Sequence, residues 1–446
     1  MTIVIIGASF AGLSAALECL ALYPEAKIVL IDKEEDLGYF PNALNWRLKG
    51  LINDWSEARN QLYHQVMHEK VEWLLGWELT SIQSTDKNIE IKCQAKRQKV
   101  AYDYLILAMG ARQVWDKQSS NFSSKTLTSK SLSQMEESME KILDAQSITV
   151  IGAGQIGLES LDALSRHDVK LRLIEAQKWP LAKYFDKEMT DWLYPELISR
   201  GIEVHFSETV NQIHLGATGQ LVFETIQNRY MSDYMVMGTN FTPNTEILDG
   251  VLSLQLDGSL IVDDYLQTSE EFIFAVGDLI RMPVAFFGQS YLPMINHAIL
   301  TGRLVAHNLL EKKRKLDKVE RIVSSHVFGY NMTSVGMTER EASIWLDTRT
   351  VRIQQTYSQK YSQWEDDPID FKLIIEKQGG RLLGGQLVSQ FDHTAQMDVL
   401  ALAIAQELTV DDLFTQSWLC LPGRTEMVPF LLEAVRQYIL QEECGE

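Results

Sequence analysis

The sequence predicts an α/β fold in which two domains carry a parallel sheet and a third, C-terminal domain is α+β. Three observations support this prediction. An apolar strand, a glycine-rich turn and a helical pattern follow one another at the N-terminus, the same order recurs mid-chain, and a strand-rich segment precedes a helix near the C-terminus. With 446 residues, the chain is long enough for about three domains.

The two βαβ motifs have the same order of strand, glycine turn, helix and strand. Their predicted elements are Thr2–Ile6, Leu13–Leu22 and Lys27–Ile31 in the first motif, and Ser147–Ile151, Leu158–Ser165 and Lys170–Ile174 in the second. A strand that leads through glycines into a helix is typical of a Rossmann-like dinucleotide-binding fold. Two such motifs therefore predict two nucleotide sites.

Two polar segments separate the predicted domains. Residues 118–133 are rich in serine, threonine and lysine and predict a connection between domains. The charged run 311–321 predicts the solvated end of a helix plus a linker, and a nucleic-acid patch is the weaker alternative because the run carries both signs of charge. Beyond it, strands to about Ser389 and a helix at Thr394–Glu407 predict the α+β domain.

Charge and hydropathy restrict the possible partners. A formal charge of −19 disfavours nucleic acid and anionic membranes, which would repel the protein. The longest apolar run, Val399–Ala405, is far shorter than the ~18 residues of a membrane helix, and the N-terminus leads directly into a strand-like segment. We therefore expect a cytoplasmic protein that neither binds nucleic acid nor inserts into a membrane.

The four cysteines form no C-x-x-C pair and no metal-ligand spacing, so they predict neither a disulfide framework nor a metal site. Cys19 lies in the first helical pattern and Cys93 in a strand-like alternation, and both are predicted to be buried structural thiols. Cys420, between apolar neighbours, is predicted to lie in a core, and Cys444 in a frayed tail.

Glycines recur in both turns because a pyrophosphate must approach the free N–H groups of a helix N-terminus without a side chain in the way. Gly7 and Gly12 meet this requirement in the first turn, where Ser9 replaces the middle glycine. The second turn carries all three glycines, at Gly152, Gly154 and Gly157. Both turns are therefore predicted to bind pyrophosphate.

An acidic residue about 20 positions after each turn is predicted to bind the ribose hydroxyls. Asp32 has this place in the first motif and Glu175 in the second. Glu175 would also repel a 2′-phosphate, and no arginine follows it directly. The second site is therefore predicted to prefer NADH to NADPH.

With these motifs the chain resembles the pyridine nucleotide-disulfide oxidoreductases, and within them the NADH oxidase, NADH peroxidase and coenzyme A disulfide reductase group. The resemblance covers nearly the whole chain. It depends on both glycine turns, YDYLILAMG at 102–110, FTPNT at 241–245, FIFAVGD at 272–278, GGQLVSQFDHT at 384–394 and ELTVDDL at 407–413.

The resemblance implies FAD at the first site and NADH at the second. FAD would be bound by Gly7, Ser9, Gly12, Asp32, Lys33, Gly110, Gly277 and Asp278, with Asp278 on the ribityl chain. NADH would be bound by Gly152, Gly154, Gln155, Gly157 and Glu175. The implied domains are an FAD-binding domain at 1–112 and 243–318, an NAD-binding domain at 113–242, and a domain at 319–446 that forms a homodimer.

The family pattern breaks where this group carries a redox cysteine beside the flavin. The corresponding run is Tyr39–Ala43, with Asn42 in place of the cysteine. A carboxamide has no accessible redox states and cannot form a mixed disulfide. We expect Asn42 to serve first as a helix N-cap, and its contact with the flavin edge or a substrate carbonyl is the alternative.

Three further positions bear on the flavin face. Phe10 stands where the group has a histidine that supports the oxidised cysteine, and it either packs on the helix or narrows the flavin face. Gln155 replaces a tyrosine that gates the nicotinamide pocket, whereas the acidic Glu159 is retained. No catalytic residue is certain, and Asn42, Phe10 and Glu159 are the candidates.

His393 lacks the His–Glu dyad of disulfide reductases and is predicted to be structural.

These substitutions favour one mechanism over two alternatives. NADH would reduce the flavin, and the flavin would pass two electrons directly to oxygen, with peroxide as product, or to another small-molecule acceptor. A quinone or a small redox protein is the alternative acceptor. A non-catalytic NADH-binding redox sensor is the alternative from another class of protein.

Overall fold

The computed structural model describes residues 1–67, 70–113, 122–239, 241–357, 366–419 and 429–444. The chain divides into two compact units, which we describe separately. The first unit contains residues 1–145 and 239–318, and the second contains 146–238 and 319–446. The three-domain division implied by the family resemblance stays a prediction.

The helices are α1 Phe10–Leu22, α2 Ala43–Leu48, α3 Gln61–Val66, α4 Leu132–Asp144, α5 Gln155–Leu164, α6 Leu193–Ser199, α7 Ile295–Asn308, α8 Glu339–Ala342, α9 Thr394–Ala405, α10 Val410–Phe414 and α11 Phe430–Cys444. The strands are β1 Thr2–Ile6, β2 Lys27–Asp32, β3 Val71–Leu75, β4 Glu78–Gln83, β5 Asn88–Cys93, β6 Lys96–Ala101, β7 Tyr104–Leu107, β8 Ala111–Gln113, β9 Thr126–Leu127, β10 Ser147–Ile151, β11 Lys170–Glu175, β12 Glu203–Phe206, β13 Gln212–Leu215, β14 Leu221–Glu224, β15 Arg229–Ser232, β16 Tyr234–Met237, β17 Phe241–Pro243, β18 Ile273–Ala275, β19 Met282–Val284, β20 Gly288–Ser290, β21 Ile322–Val327, β22 Tyr330–Gly336, β23 Thr348–Tyr357, β24 Asp367–Glu376 and β25 Leu382–Ser389.

A parallel sheet in the order β18-β7-β1-β2-β3 forms the core of the first unit. Its central strands are continuous apolar runs because both faces are covered, and Ile3, Ile5 and Leu105 are fully buried. Helices α1 and α7 pack closely together, since a Cβ at Gly302 would lie 2.3 Å from the carbonyl oxygen of Ala11. The sheet therefore presents the carboxyl ends of β1, β2, β7 and β18 at one edge.

The second unit contains a second parallel sheet, with β12, β11, β10 and β16 as neighbours in that order. Strands β13, β14 and β15, which lie between β12 and β16 in the sequence, form a separate antiparallel sheet. The C-terminal part is an antiparallel sheet in the order β21-β22-β25-β24-β23. Helices α9 and α11 share its core, where the rings of Phe371 and Phe430 are 4.7 Å apart. The predicted α/β and α+β arrangement is confirmed.

The predicted helices and strands lie where the residue patterns place them, with shifts at the ends. Helices α1 and α5 begin three residues earlier than predicted, at Phe10 and Gln155, because the glycine turns lead directly into them. The linker predicted at 311–321 contains the boundary between the units, between Lys318 and Val319. The connection predicted at 118–133 lies partly outside the described residues, and its described part includes β9 and the α4 cap Ser131.

The cysteines differ in their surroundings. Cys19 is fully buried on α1, as predicted, and burial, together with Glu18, raises the pKa of its thiol to about 12. The prediction for Cys93 was wrong in degree, because this last residue of β5 is only half-buried. Cys444 ends α11 and is exposed, and Cys420 lies outside the described residues.

A buried lysine joins three segments of the second unit. Lys372 on β24 is 2% exposed, and its ammonium nitrogen lies 3.0 Å from Asp186 Oδ2 and 2.6 Å from Glu339 Oε2. It also pairs with Glu188. These three carboxylates are close enough to one another to hold a metal ion, but the ammonium lies among them and pairs with each.

The contacts within this cluster shift the pKa values of Asp186 and Lys372. Burial alone would raise the pKa of Asp186, but Lys372 and the backbone N–H groups of Glu339 and Arg340 lower it. Burial alone would lower the pKa of Lys372, but its bonds to Glu188, Glu339 and Asp186 raise it. The contacts within the cluster therefore favour the charged forms of Asp186 and Lys372.

None of the described helices combines the length and the hydropathy that a membrane-crossing helix needs.

Candidate active site

The first glycine turn allows β1 and α1 to meet without side chains between them. Gly7 has φ +102°, and a Cβ at this position would lie 2.2 Å from the carbonyl oxygen of Ala108. A Cβ at Gly12 would lie 1.8 Å from the carbonyl oxygen of Gly7. Ser9 is the N-cap of α1, with an extended backbone and no capping hydrogen bond from its side chain. The start of α1 therefore faces the carboxyl edge of the sheet.

Asp32 is fixed at the end of β2 by two backbone donors. Its Oδ2 accepts a hydrogen bond from the N–H of Ala8 at 2.6 Å, and its Oδ1 accepts one from Glu34 at 2.9 Å. Burial raises the pKa of this carboxyl, and the two N–H groups oppose that effect. Because a carboxylate offers about four acceptor sites, Asp32 keeps capacity for the hydroxyls of a ribose.

The second turn repeats this arrangement almost atom for atom. The N–H of Gly152 donates to Ile174 at 2.9 Å, as that of Gly7 donates to Ile31 at 2.8 Å. Glu175 Oε2 accepts from the N–H of Ala153 at 2.5 Å, and its Oε1 accepts from Gln177 at 2.6 Å. A Cβ at Gly157 would lie 1.9 Å from the carbonyl oxygen of Gly152.

The space beside the turns fits a pyrophosphate. Gly154 is the N-cap of α5, and a Cβ there would meet only the carbonyl oxygen of Gly238, at 3.9 Å. Among the residues that the structure describes, and apart from its chain neighbours, no heavy atom lies within 4 Å of a Cβ at Gly110, which has φ +67°. An open approach to helix N–H groups, with an acid fixed nearby, is what a dinucleotide requires.

A half-buried acid near the first turn is influenced by the charge of a lysine. Gly277, with φ +65°, begins a 3₁₀ turn that places Asp278, and its N–H donates to Thr301 Oγ1 at 2.9 Å. Burial raises the pKa of Asp278, and the charge of Lys130 opposes this. Sequence reasoning missed Lys130, whose ammonium also donates to the carbonyl oxygen of Ala111. A lysine in a polar connecting segment gives no signal of such a role.

Residues 39–43, where the family resemblance implies a redox cysteine segment, include the aromatic residues Tyr39 and Phe40. The Phe10 ring, 6% exposed, lies 5.4 Å from the Phe40 ring, and its role beside the flavin stays a prediction. The N-cap prediction for Asn42 was wrong: the residue precedes α2, but its side chain makes no capping hydrogen bond. Its backbone is already helical (φ −77°, ψ −3°), whereas a capping side chain needs an extended backbone.

Gln155 and Glu159 lie on α5 in the second unit, and Glu159 is half-buried. The Gln155 side chain donates from Nε2 to the carbonyl oxygen of Ser324 on β21 at 2.8 Å. A contact to a strand so distant in sequence could not be predicted. The roles of Gln155 and Glu159 beside a nicotinamide stay predictions.

His393 has an acidic partner that the sequence did not reveal. Its Nε2 lies 2.6 Å from Oδ2 of Asp367, which is 1% exposed. The other oxygen of Asp367 accepts hydrogen bonds from the backbone of Gln390 and Phe391. The pair joins the start of β24 to the segment before α9. The structural role of His393 was predicted from the lack of a His–Glu dyad, and it stays a prediction.

The comparisons with known proteins agree with this geometry. Residues 1–302 match the pyridine nucleotide-disulphide oxidoreductase family, and residues 322–429 match the dimerisation domain of that family. The chain therefore belongs to the pyridine nucleotide-disulphide oxidoreductases. It is therefore an oxidoreductase.

Similar proteins cover almost the full chain. NADH oxidase of Enterococcus faecalis is 27% identical over 93% of this chain and 94% of its own length, and that of Lactococcus lactis is 26% identical with the same coverage. Among solved structures, a pyridine nucleotide-disulfide family oxidoreductase from Enterococcus faecalis is 30% identical, with TM-score 0.84 and 99% of both chains covered. The water-forming NADH oxidase from Lactobacillus brevis is 24% identical, with TM-score 0.89 and coverage of 100% and 99%.

The fixed carboxylate of Glu175 leads to a prediction about nucleotide preference. In Glu175→Gln we expect the ratio of kcat/KM for NADH to that for NADPH to fall about tenfold, because the repulsion of the 2′-phosphate is lost. Steady-state kinetics with both nucleotides measures the ratio. Glu224→Gln, which removes a charge from the antiparallel strand β14, is the control, and an unchanged ratio in Glu175→Gln would show that the second turn does not hold the adenosine ribose.

Proposed function

We propose that the protein oxidises NADH and passes two electrons from reduced FAD directly to oxygen or another small acceptor, without a thiol relay. The feature that supports this proposal is Asn42, which stands where the family resemblance implies the redox cysteine and two residues after Phe40, whose ring lies 5.4 Å from that of Phe10. A carboxamide and two phenyl rings can neither store electrons nor form a mixed disulfide. The flavin is then the one two-electron store of each site.

The residues that would hold the cofactors are those of the two glycine turns. We place FAD on the first turn, with Asp32 on its ribose and Asp278 near the ribityl chain. NADH is placed on the second turn, with Glu175 on its ribose. FAD supplies the hydride acceptance and the electron release, while the protein binds and orients the reactants. The fixed carboxylates and open helix N-termini support this placement.

With oxygen as acceptor, the product expected is hydrogen peroxide. One NADH, one proton and one oxygen molecule give NAD⁺ and hydrogen peroxide, which uses the two electrons that a single flavin holds. Reduction of oxygen to water needs four electrons, and hence a second store such as a redox thiol. The structural neighbour from Lactobacillus brevis is described as water-forming. We therefore expect this protein and that neighbour to differ in the product that they form from oxygen.

The test is the yield of peroxide from the purified flavoprotein in air. We expect about one hydrogen peroxide per NADH oxidised, and the same yield in Cys420→Ser, the variant that removes a thiol outside the described residues. Water formation without released peroxide would overturn the proposal. Mixing with NADH without oxygen tests the sensor alternative, because a flavin absorbance that does not bleach would leave only a nucleotide-binding role.

We also propose a cytoplasmic homodimer that uses the C-terminal domain as its interface. The match of residues 322–429 to a dimerisation domain supports the dimer. Sedimentation equilibrium of the flavoprotein should give twice the mass of 50.8 kDa, and a monomer at micromolar concentration would contradict this assembly.

A further inference from the structure

Three aromatic side chains form a continuous array at the first nucleotide site. The array consists of Phe10, the first residue of α1, Phe40, and Trp46 on α2. The Phe10 and Phe40 rings are 5.4 Å apart and tilted by 46°, and the Phe40 and Trp46 rings are 5.3 Å apart and tilted by 50°. Phe10 is buried, whereas Phe40 and Trp46 are only half-buried.

The array lies on the segments that follow β1 and β2, at the carboxyl edge of the parallel sheet. In sheets of this kind the ligands bind outside that edge. Phe10 immediately follows the first glycine turn, and the segment that carries Phe40 follows Asp32 in the chain. The half-buried rings are therefore placed where an electron acceptor must approach the first site.

The polar groups next to the array neutralise one another. The guanidinium of Arg59 pairs with the carboxylate of Asp36 and donates to the hydroxyl of Tyr39 at 2.9 Å. The same guanidinium lies 4.9 Å from the centre of the Tyr39 ring. Arg47, which follows Trp46, donates to the carbonyl oxygens of Ile52 and Asn53. The charged groups beside Phe40 and Trp46 therefore have partners within the protein, and the two rings offer aromatic surface.

We propose that Phe40 and Trp46 bind a planar aromatic acceptor, a para-quinone, by stacking, with Phe10 packed against Phe40. An aromatic pair contributes binding free energy beyond that of the apolar area it buries. Oxygen, peroxide and disulfides have no ring with which to use this surface. The inference rests on the proposed function, since the acceptor must take electrons directly from the flavin.

The overall reaction balances without any further reactant. One NADH, one proton and one quinone give NAD⁺ and one hydroquinone. The hydride and the proton supply the two electrons and two protons that convert both quinone carbonyls to hydroxyls. The two electrons pass through the flavin, and no bond to the protein forms or breaks.

The first measurement is equilibrium binding, which needs no turnover. Oxidised flavoprotein is titrated with 2-methyl-1,4-naphthoquinone by calorimetry, in the wild type and in Phe40→Leu, Trp46→Leu and the double variant. Leucine keeps apolar volume but removes the ring, so we expect a Kd weakened about fivefold in each single variant and more than tenfold in the double variant. Trp46→Phe should restore most of the affinity.

Kinetics supply the second readout. The ratio of kcat/KM for the naphthoquinone to that for oxygen should fall in the two leucine variants in parallel with the affinity. Trp345→Leu, which removes an indole that is 78% exposed in the second unit, is the matched control and should change neither the Kd nor the ratio. FAD content and circular dichroism confirm that each variant is folded before titration.

The outcomes separate this inference from the proposed function. An unchanged Kd in a folded double variant overturns the quinone site, even if NADH still bleaches the flavin and peroxide still forms. Failure of NADH to bleach the wild-type flavin overturns the proposed function, whatever the naphthoquinone titration shows. Weakened binding with rescue by Trp46→Phe supports the array as the acceptor site.

Discussion

Gly154→Asp is expected to slow reduction of the flavin by NADH on the order of 100-fold, which corresponds to about 3 kcal/mol of lost binding. The new carboxylate would occupy the open space at the N-terminus of α5, where it repels and displaces the pyrophosphate. The fold should tolerate the change, because the backbone at Gly154 is extended (φ −76°, ψ −173°) and aspartate is a favoured N-cap. FAD content should therefore be unchanged.

Stopped-flow mixing with NADH in the absence of oxygen measures this rate over a range of NADH concentrations. Gly154→Ala is the matched control, because its methyl group meets only one atom within 4 Å, at 3.9 Å, and adds no charge. We expect that variant to stay within a few-fold of the wild type. An aspartate variant that is reduced as fast as the alanine variant would place NADH elsewhere.

Lys372→Met is expected to lower the free energy of unfolding by about 3–5 kcal/mol, the usual cost of removing one partner of a buried ion pair. The substitution leaves the carboxylates of Asp186, Glu188 and Glu339 together without their cation. Asp186 is 6% exposed, so its carboxylate would lose its cation at a buried position. The loss should appear as a lower midpoint of thermal unfolding.

The control for this variant is Lys377→Met on the same domain. Lys377 is half-exposed and forms a 3.5 Å ion pair with the exposed Asp347, and such surface pairs contribute about 0–1 kcal/mol. Its midpoint should therefore match that of the wild type. Equal midpoints for the two methionine variants would show that the buried cluster does not hold the second unit together.

The parts of the site that could be predicted are those encoded by neighbouring residues. Each glycine turn, its following helix and the acid at the end of the next strand depend on local backbone geometry, and the structure contains all of them. The N-cap prediction for Asn42 failed because the backbone enters its helical conformation one residue early, which the residue type alone does not determine.

The remaining features depend on contacts between residues distant in sequence. Lys372 meets Asp186 across 186 positions, and Gln155 meets Ser324 across 169. The pairing of His393 with Asp367 depends on how β24 lies beside the segment before α9. Periodicity and motifs describe residues that are close in sequence and do not predict these long-range contacts. From the sequence alone, these residues are therefore interpreted as ordinary polar or structural positions.

A reductive titration without oxygen measures directly whether the flavin is the sole two-electron store of the protein. Dithionite is added stepwise to the flavoprotein while the flavin absorbance is followed. We predict complete bleaching with one two-electron equivalent per FAD and no further uptake, in the wild type and in Cys420→Ser alike. Uptake of a second equivalent, lost in a cysteine variant, would reveal a redox thiol and contradict the account.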